Sequence, residues 1–392
     1  MVMMGRAALQ KVKIAIVHDW LIDRGGAEQV LAGMLELWPD APVFTLVCDS
    51  GGPCSSLVKG RRVETSFLQR IPGVKKHYRL FLPLFPIAVE QFDLSEFDIV
   101  ISNSHAAAKG VLTGPDQLHI AHVCSPIRYA WDMQHLYLRE AGGGRLKRWF
   151  IRLILHYIRQ WDARTALGVD EFVGISHFIA RRIHKVYRRD AAVIYPPVDV
   201  EDFNLCSEKE DFYLTASRMV PYKRMNLIVE AFNHMPEKKL VVMGGGPEYR
   251  RIRNLAGPNV TVTGHQSREV LVDHMQRAKA FVFAAEEDFG IIPVEAQACG
   301  TPVIAYGKGG TLETVVEGGT GVFFPEQTAE SLQGAVERFE RMGDCWDYAE
   351  IRKHAERFGK ARFQEEIAGF VEERWAAFCA ERDRSDLFQE LL

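Results

Sequence analysis

Long apolar runs are scarce in this chain of 392 residues. The longest uncharged one in the front half, Leu80 to Val89, is well short of the ~20 residues that a membrane-spanning helix needs. The opening residues, MVMMGRAALQ, also lack the apolar segment of a secretory signal. We therefore expect a cytoplasmic protein that is either soluble or peripheral on the inner face of the plasma membrane.

Cysteine is the second shortage. The seven cysteines stand at positions 48, 54, 124, 206, 299, 345 and 379, an odd number without a C-x-x-C pair. This scatter argues against a disulfide framework and against a zinc site, and it indicates a reducing compartment.

A strong excess of one charge is also missing. The formal net charge is −3, so the composition as a whole does not attract nucleic acid, and we expect no nucleic-acid partner. Hydrophobic residues make up 47% and charged residues 25% of the chain, as is typical of a soluble globular protein. At this length two domains are the default expectation.

The chain does contain two series of apolar strands that alternate with helical patterns, which is typical of doubly wound parallel sheets. In the first series we predict strands at 12–17, 43–47, 98–102, 119–124, 171–175 and 192–195. In the second we predict strands at 212–216, 239–243, 260–263, 281–284 and 303–306, and a helix at 329–342. Residues 195–199 interrupt the alternation and predict a linker. The predicted fold class is α/β, with two Rossmann-like doubly wound domains.

The stretch from Glu286 to Gly300, EEDFGIIPVEAQACG, carries the most information. It predicts a loop and then a helix from Ile291, because proline is tolerated in a first helical turn and glycine suits a helix end. Free N–H groups at such a helix start form a seat for a phosphate. Glu287 and Glu295 are then expected to accept hydrogen bonds from sugar hydroxyls, although a solvated loop residue and a helix-face charge are the simpler alternative.

This stretch resembles the E-x7-E signature of family-four retaining glycosyltransferases. The residues E-D-F-G at 287–290 stand where the family commonly has E-G-F-G, and E-A-Q-A-C-G-T-P-V-I-A follows from Glu295. Asp288 departs from the usual Gly or Ser. The resemblance implies that donor-binding residues in this stretch are Glu287, Phe289, Gly290, Ile291 and Glu295.

The resemblance also implies the GT-B architecture, in which two Rossmann-like domains face each other across a cleft. We accordingly predict an N-terminal acceptor-binding domain over 1–197 and a C-terminal nucleotide-sugar-binding domain over 198–358. A helix within 359–392 is expected to cross back onto the first domain.

Arg218 and Lys223 follow a predicted strand, so we expect them at the carboxyl edge of the second sheet, where open α/β folds bind ligands. A guanidinium contacts two phosphate oxygens at once, and an ammonium adds a point charge. The segment resembles the family's G-R-x-x-P-x-K motif, with Ser217 in place of Gly. The motif implies that both cations neutralise the donor diphosphate; two solvated surface cations are the alternative.

Further donor contacts are implied by the family alone. Gly25 and Gly26, in a G-G-A-E turn after the first strand, are expected to close over the donor phosphates or to border the acceptor site, with a plain tight turn as the alternative. Gly264 and His265 lie in the loop that touches the nucleobase in the family, mainly through backbone atoms. The turn at 244–247 matches the family's G-x-G-P and permits close packing.

The family also places a functional histidine at a strand end of the first domain. His122 matches this position, and with Glu287 it makes up the predicted catalytic pair. His105, after the preceding strand, is the competing candidate. A histidine with a purely structural role is the simpler interpretation of either residue.

Retention of configuration is the stereochemistry of the resembled family. Glu287 is the only obvious carboxylate nucleophile for a double displacement, but in the family it binds sugar hydroxyls. We therefore expect front-face attack through an oxocarbenium-like state, in which the leaving phosphate accepts the acceptor's proton. We expect no cofactor and no metal, because Arg218, Lys223 and the helix start carry the electrostatic stabilisation.

The stretch from Leu138 to Arg164 mixes cations with apolar residues spaced three and four apart. The cations are Arg139, Arg145, Lys147, Arg148, Arg152, Arg159 and Arg164. The pattern predicts a helix with one apolar face and cations opposite, suited to peripheral contact of residues 138–164 with an anionic membrane or to a lipid-diphosphate acceptor. A helix with an ordinary solvated basic face fits equally well.

The segments 104–110 and 124–129 resemble bacterial mannosyltransferases that build surface polysaccharide. We therefore expect transfer of mannose from GDP-mannose to a saccharide linked to polyprenyl diphosphate. The alternatives are a UDP-sugar-dependent glycosyltransferase of the same fold, an enzyme like a nucleotide-sugar 2-epimerase, and a catalytically silent nucleotide-sugar binding protein.

Overall fold

The structure is a computed structural model that describes residues 12–140, 144–343 and 345–390. The chain divides into two compact units. Unit 1 comprises Met1–Pro197 and Phe363–Leu392, and unit 2 comprises Val198–Arg362.

Unit 1 contains a parallel sheet with the strand order β3-β2-β1-β4-β5-β6-β7 in the described part of the chain. The strands are β1 (Ile14–His18), β2 (Val43–Thr45), β3 (Val63–Thr65), β4 (Ile99–Ser104), β5 (Leu118–Val123), β6 (Glu171–Gly174) and β7 (Ala192–Val193). The order reverses between β1 and β4. The carboxyl ends of these two strands therefore flank the switch point, where open α/β sheets bind ligands.

Helices cover both faces of this sheet, which is why every residue of β1, β4 and β5 is buried. The α-helices are α1 (Gly26–Leu37), α2 (Ser55–Val58), α3 (Val74–His77), α4 (Phe85–Glu90), α5 (Gln134–Glu140), α6 (Arg145–Thr165) and α7 (His177–Tyr187). Short 3-10 turns lie at Phe67–Arg70, Tyr78–Leu84, Ala108–Gly110 and Ala166–Gly168.

Unit 2 repeats the doubly wound plan, with the strand order β10-β9-β8-β11-β12-β13 in the residues that the structure describes. The strands are β8 (Glu210–Ala216), β9 (Leu240–Met243), β10 (Val260–Gly264), β11 (Ala278–Phe283), β12 (Val303–Tyr306) and β13 (Gly321–Phe324). The switch point of this sheet lies between β8 and β11.

The helices of unit 2 bury apolar stripes against this sheet. They are α8 (Met225–Asn233), α9 (Tyr249–Leu255), α10 (Arg268–Arg277), α11 (Ile291–Ala298), α12 (Thr311–Thr314), α13 (Ala329–Met342) and α14 (Tyr348–Glu356), with 3-10 turns at Val200–Asp202 and Pro221–Lys223. Helix α13 has the predicted bounds. It places Leu332, Val336 and Phe339 in the core at spacings of three and four, as one face of a helix does.

The last helix, α15 (Lys360–Glu390), enters the core of unit 1. Phe363, Ile367 and Val371 recur every four residues and are fully buried there. Gly33 of α1 permits this packing, because a Cβ at that position would lie 3.0 Å from the Phe363 ring.

The structure corrects the prediction of one amphipathic helix over 138–164. Helix α5 ends at Glu140 and α6 begins at Arg145, while residues 141–143 lie outside the described residues. Gly144 forms the N-cap of α6, and glycine disfavours the interior of a helix. Within the described ranges, no helix is both long enough and apolar enough to cross a membrane.

Candidate functional site

The loops after β8, β9, β10, β11 and β12 leave unit 2 at one edge, because parallel strands end on the same side of a sheet. The loop after β8 carries Arg218 and Lys223, and the loop after β11 carries Glu287. These two strands are neighbours at the switch point. The topology therefore brings the predicted cations and the predicted carboxylate to the same place.

An ion pair joins the two loops. Lys223 Nζ lies 2.6 Å from Glu287 Oε1, and the side chains are 16% and 14% exposed. The ammonium also lies 5.8 Å from the centre of the Phe283 ring, at the end of β11. A cation and a carboxylate are thus held together in a largely buried position at the switch point.

Arg218 differs from Lys223 in being exposed. Among the described residues its guanidinium has no ion-pair partner, so it is available for a two-point contact with a phosphate. Its loop ends at Arg224, whose φ of 55° places a non-glycine residue in the left-handed region. Such a conformation costs roughly 1–3 kcal/mol and persists only where the surroundings determine it.

The glycine turn after β9 supports the Arg218 loop. Met219 N donates to Gly245 O at 2.8 Å, and Glu248 N donates to Met219 O at 3.1 Å. A Cβ at Gly244 would lie 1.9 Å from Ser217 O, and one at Gly246 would lie 2.5 Å from Met219 O. The close-packing interpretation of this turn therefore accounts for its glycines.

Three further glycines hold the loop before α11. Gly290 caps the helix with a φ of 91°, and Gly310 N donates to Glu287 O at 2.8 Å. A Cβ at Gly309 would lie 2.5 Å from Glu287 O. The backbone after β12 thus fixes the position of Glu287 and of the helix start behind it.

Replacing Gly310 by Ala is expected to displace this loop. A Cβ there would lie 2.3 Å from Phe289 Cα and 2.6 Å from Phe289 N and O, all of them backbone atoms that cannot rotate away. We expect the free energy of unfolding to fall by about 1–3 kcal/mol, together with a loss of ligand binding. Chemical denaturation measures the first effect and calorimetric titration the second.

Gly334→Ala is the matched control for this substitution. Gly334 lies inside α13, and the nearest atom to a new Cβ is the end of the Arg338 side chain at 4.0 Å. Alanine in a helix interior is favoured over glycine by roughly 0.5–1 kcal/mol. We expect this control to be stabilised, and equal destabilisation of both variants would contradict the packing account.

Glu295 has a different partner from Glu287. Its Oε1 lies 3.7 Å from Arg268 Nη1. Burial raises the pKa of Glu295, and the nearby Asp199 and Asp202 carboxylates add to this, whereas Arg268 opposes it. Glu287 therefore pairs with Lys223, and Glu295 lies near Arg268.

The remaining donor-side predictions fall on the same edge of unit 2. Gly264 ends β10 with a φ of 78° and accepts a hydrogen bond from Gly244 N at 2.8 Å. His265 is exposed and Ile291 is half-buried in the first turn of α11. The Phe289 side chain is 2% exposed and packs at 5.4 Å from the Phe358 ring. The backbone of Phe289 is therefore better placed than its side chain to contact a ligand.

In unit 1, the G-G-A-E turn forms the start of α1. Gly25 and Gly26 are exposed, and Gly25 N donates to Glu28 Oε2 at 2.8 Å. Glu28 Oε1 also lies 3.2 Å from His18 Nε2. Burial raises the pKa of Glu28, but His18 and the Gly25 N–H outweigh it, so the net shift is downward. Glu28 therefore ties the glycine turn to the end of β1.

The two candidate histidines of unit 1, His122 and His105, differ in their exposure. His122 has no solvent exposure, its ring packs at 6.1 Å from that of Phe363, and burial lowers its pKa to about 4. Its Nδ1 contacts Asn103 Oδ1 at 3.2 Å. The side chain of His105 is 27% exposed, directly after β4 at the switch point of unit 1. His105 is thus the more accessible of the two, while His122 is buried with its Nε2 unpartnered among the described residues.

Asp19 is a further candidate site residue that was not predicted from the sequence. This fully buried carboxylate accepts hydrogen bonds from the backbone N–H groups of residues 105–108 at 2.5–2.9 Å. Its Oδ2 also lies 3.0 Å from His105 Nδ1. Trp20 packs edge-on against the same ring at 4.5 Å. The H-D-W run directly after an apolar strand was the signal available in the sequence.

Possible metal ligands are not grouped in the structure. Within residues 12–140, 144–343 and 345–390, no three His, Cys, Asp or Glu side chains are placed to hold an ion together.

Residues 199–363 match the family described as glycosyl transferases group 1. The matched residues coincide with unit 2, which comprises Val198–Arg362. The resemblance to family-four glycosyltransferases is thereby confirmed, and it is confirmed in the part of the chain that carries Arg218, Lys223 and Glu287.

Two curated relatives illustrate the range of similar proteins. One is GDP-mannose-dependent alpha-(1-6)-phosphatidylinositol monomannoside mannosyltransferase from Mycolicibacterium smegmatis, 30% identical over 137 residues, which are 31% of this chain and 36% of the relative. The other is D-inositol 3-phosphate glycosyltransferase from Mycobacteroides abscessus, 28% identical over 182 residues, which are 40% of this chain and 41% of the relative. The chain thus spans less than half the length of these relatives.

Solved structures show the fold of the whole chain. Anabaena HepE in complex with UDP has a TM-score of 0.69 at 17% identity, covering 92% of this chain and 100% of that chain. Sucrose-phosphate synthase from Thermosynechococcus elongatus has a TM-score of 0.68 at 17% identity, covering 94% of this chain and 100% of that chain. The predicted α/β fold of the GT-B class, with two Rossmann-like units, is confirmed.

Proposed function

We propose that this protein is a retaining glycosyltransferase that transfers mannose from GDP-mannose to a lipid-linked saccharide. One observation carries the proposal. In a unit of the glycosyl transferases group 1 family, the Lys223–Glu287 ion pair and the exposed Arg218 lie at the switch point of the sheet. Two cations suit a diphosphate, and a carboxylate beside them suits sugar hydroxyls.

The proposed reaction breaks the bond between the anomeric carbon and the phosphate oxygen and forms a bond from that carbon to an acceptor oxygen. Negative charge grows on the leaving phosphate, which takes up the acceptor's proton. Arg218, Lys223 and the N–H groups at the start of α11 stabilise that charge because they are already in place. No metal ion enters this scheme. Glu287 holds the sugar through its hydroxyls.

We assign to His105, instead of His122, the histidine role in unit 1. Asp19 lies 3.0 Å from its Nδ1. A carboxylate this close to Nδ1 favours the tautomer with its N–H at Nδ1. The Nε2 atom is then free to accept a hydrogen bond from a substrate hydroxyl.

The donor is supported by what similar proteins are said to use. The Mycolicibacterium smegmatis relative is described as GDP-mannose-dependent, which agrees with the mannosyltransferase-like segments of unit 1. The HepE structures contain UDP and UDP-glucose. A UDP-sugar-dependent transferase is therefore the second candidate.

A thermal-shift screen separates these donors. A ligand at a hundred times its Kd stabilises the folded protein by about 2.7 kcal/mol, so GDP-mannose is expected to raise the Tm more than UDP-glucose does. The Lys223→Ala variant is expected to lose the shift. An equal response to UDP-glucose would remove the mannose assignment, and no response to any nucleotide sugar would remove the proposed function.

The proposed acceptor is a saccharide on polyprenyl diphosphate. Support comes from the relative whose name specifies a phosphatidylinositol monomannoside, because such an acceptor is anchored in a bilayer. We accordingly propose that the protein works as a peripheral protein on an anionic membrane surface.

A further inference from the structure

Helix α6 (Arg145–Thr165) is buried at one end only. Its buried residues, Leu155, Ile158, Trp161 and Asp162, all belong to the second half of the helix. Residues 144–150 are all exposed. The second half of the helix therefore anchors it in unit 1, and the first half projects an apolar surface that the described part of the chain does not cover.

That surface is a continuous stripe along the helix. We call it the docking stripe; its members are Leu146, Trp149, Phe150, Leu153 and Tyr157, with exposed fractions of 46–69%. Their spacing of three, one, three and four residues confines them to an arc of about 100°. The rings of Trp149 and Phe150 pack against each other at 5.1 Å.

Cations border this stripe on one side. At 3.6 residues per turn, Arg145 and Arg152 follow the docking stripe along its edge, on the side away from the buried residues. Arg159 is not one of these bordering arginines, because its guanidinium donates to Ala130 O at 2.7 Å in unit 1. The acidic residue of the helix, Asp162, is fully buried, so the exposed surface of α6 presents cations without carboxylates. An apolar stripe with aromatic residues, bordered by arginines, has the composition of a helix that lies in a membrane interface.

We propose that the docking stripe inserts into an anionic phospholipid bilayer, with the bordering arginines on the lipid headgroups. A second copy of the chain is a poorer occupant. A two-fold contact through this face would bring the arginines of α6 close to those of the other copy, and like charges across an interface destabilise it. Anionic headgroups provide the opposite charge and the apolar phase together. This membrane contact rests on the proposed peripheral location of the protein, and it can be tested without measuring sugar transfer.

Vesicle co-sedimentation of the 392-residue chain tests the proposal. We expect binding to vesicles of phosphatidylglycerol and phosphatidylcholine, weak binding to vesicles of phosphatidylcholine alone, and weaker binding at high salt. The double variant Trp149→Ser/Phe150→Ser is expected to lower the partition coefficient about tenfold or more. The same variant is expected to keep the Tm of the wild type, because both side chains are exposed.

Leu167→Ser is the matched control, since Leu167 is an apolar residue with 81% exposure outside the docking stripe. It is expected to bind vesicles as the wild type does.

Three results would overturn the proposal: no binding of the wild type, equal binding to neutral and anionic vesicles, or unchanged binding of the double variant. A shift from dimer to monomer in the double variant without vesicles would instead assign the stripe to a second copy. The two proposals can fail separately. A protein that does not bind vesicles but whose Tm still rises with GDP-mannose would contradict only the membrane proposal. A protein that binds vesicles but whose Tm does not respond to GDP-mannose would contradict only the proposed donor.

Discussion

Replacing Arg218 by Ala is expected to lower the rate of sugar transfer by about 100- to 1000-fold, the effect of removing one fixed group that stabilises developing negative charge. The guanidinium is exposed and has no ion-pair partner in the described residues, so the folded protein does not depend on it. We expect the Tm to stay close to that of the wild type. Steady-state kinetics with saturating donor measures the effect.

Arg341→Ala is the control for this loss. Arg341 is also an exposed arginine of unit 2, with its guanidinium 4.0 Å from Glu337 on α13. We expect full activity from this control. If Arg218→Ala retained most of the wild-type rate, the phosphate would have to lie elsewhere in the unit.

The largest effect on stability is expected from Asp162→Asn. Lys109 Nζ lies 2.9 Å from Asp162 Oδ1, and both side chains are buried. Trp131 Nε1 donates to Asp162 Oδ2 at 2.7 Å, and Tyr187 OH donates to the same carboxylate at 3.0 Å. Asparagine would leave the Lys109 charge uncompensated and place an amide NH₂ among donors. Breaking a buried pair from one side costs about 3–5 kcal/mol of the free energy of unfolding.

Chemical denaturation measures the loss in free energy of unfolding, and Asp49→Asn is the control variant. Asp49 pairs with Lys75 at 2.9 Å on the surface, and such exposed pairs contribute about 0–1 kcal/mol. The double variant Lys109→Met/Asp162→Leu is expected to recover part of the loss, because no buried charge remains. If Asp162→Asn lowered the free energy of unfolding as little as Asp49→Asn does, the buried carboxylate would not hold the network together as described.

The strands with strong apolar patterns were predictable, because a strand buried on both faces needs a run of apolar residues. Two of the edge strands, β3 and β13, were not. Val63–Thr65 contains a glutamate and is at most half-buried, and Gly321–Phe324 begins with a glycine. Each pairs with a neighbour on only one side, so hydrogen bonding to β2 and to β12 sets its conformation more than its own composition does.

The candidate site in unit 2 was predictable because its residues directly follow strands of a parallel sheet. Arg218, Lys223 and Glu287 follow strands, and the parallel sheet brings such positions together. The sequence could not decide between His122 and His105, because a strand end leaves open which face of the sheet a side chain occupies. His122 turns toward Phe363 of the last helix, and that contact joins positions far apart in the chain.

The sequence also could not show which apolar residues of α6 are exposed and so available to a membrane. Periodicity alone assigns Leu146 and Trp149 to the same apolar pattern as Ile158 and Trp161. The structure divides them, since the second pair is buried in unit 1 and the first pair is exposed. Burial against a partner element cannot be deduced from the spacing of one helix.

The most direct test of the account is a crystal structure of the protein with GDP-mannose. The account predicts that the diphosphate lies within hydrogen-bond distance of the Arg218 guanidinium, the Lys223 ammonium and the backbone N–H groups at Gly290 and Ile291, with the sugar hydroxyls at Glu287. A diphosphate bound away from these groups would contradict it.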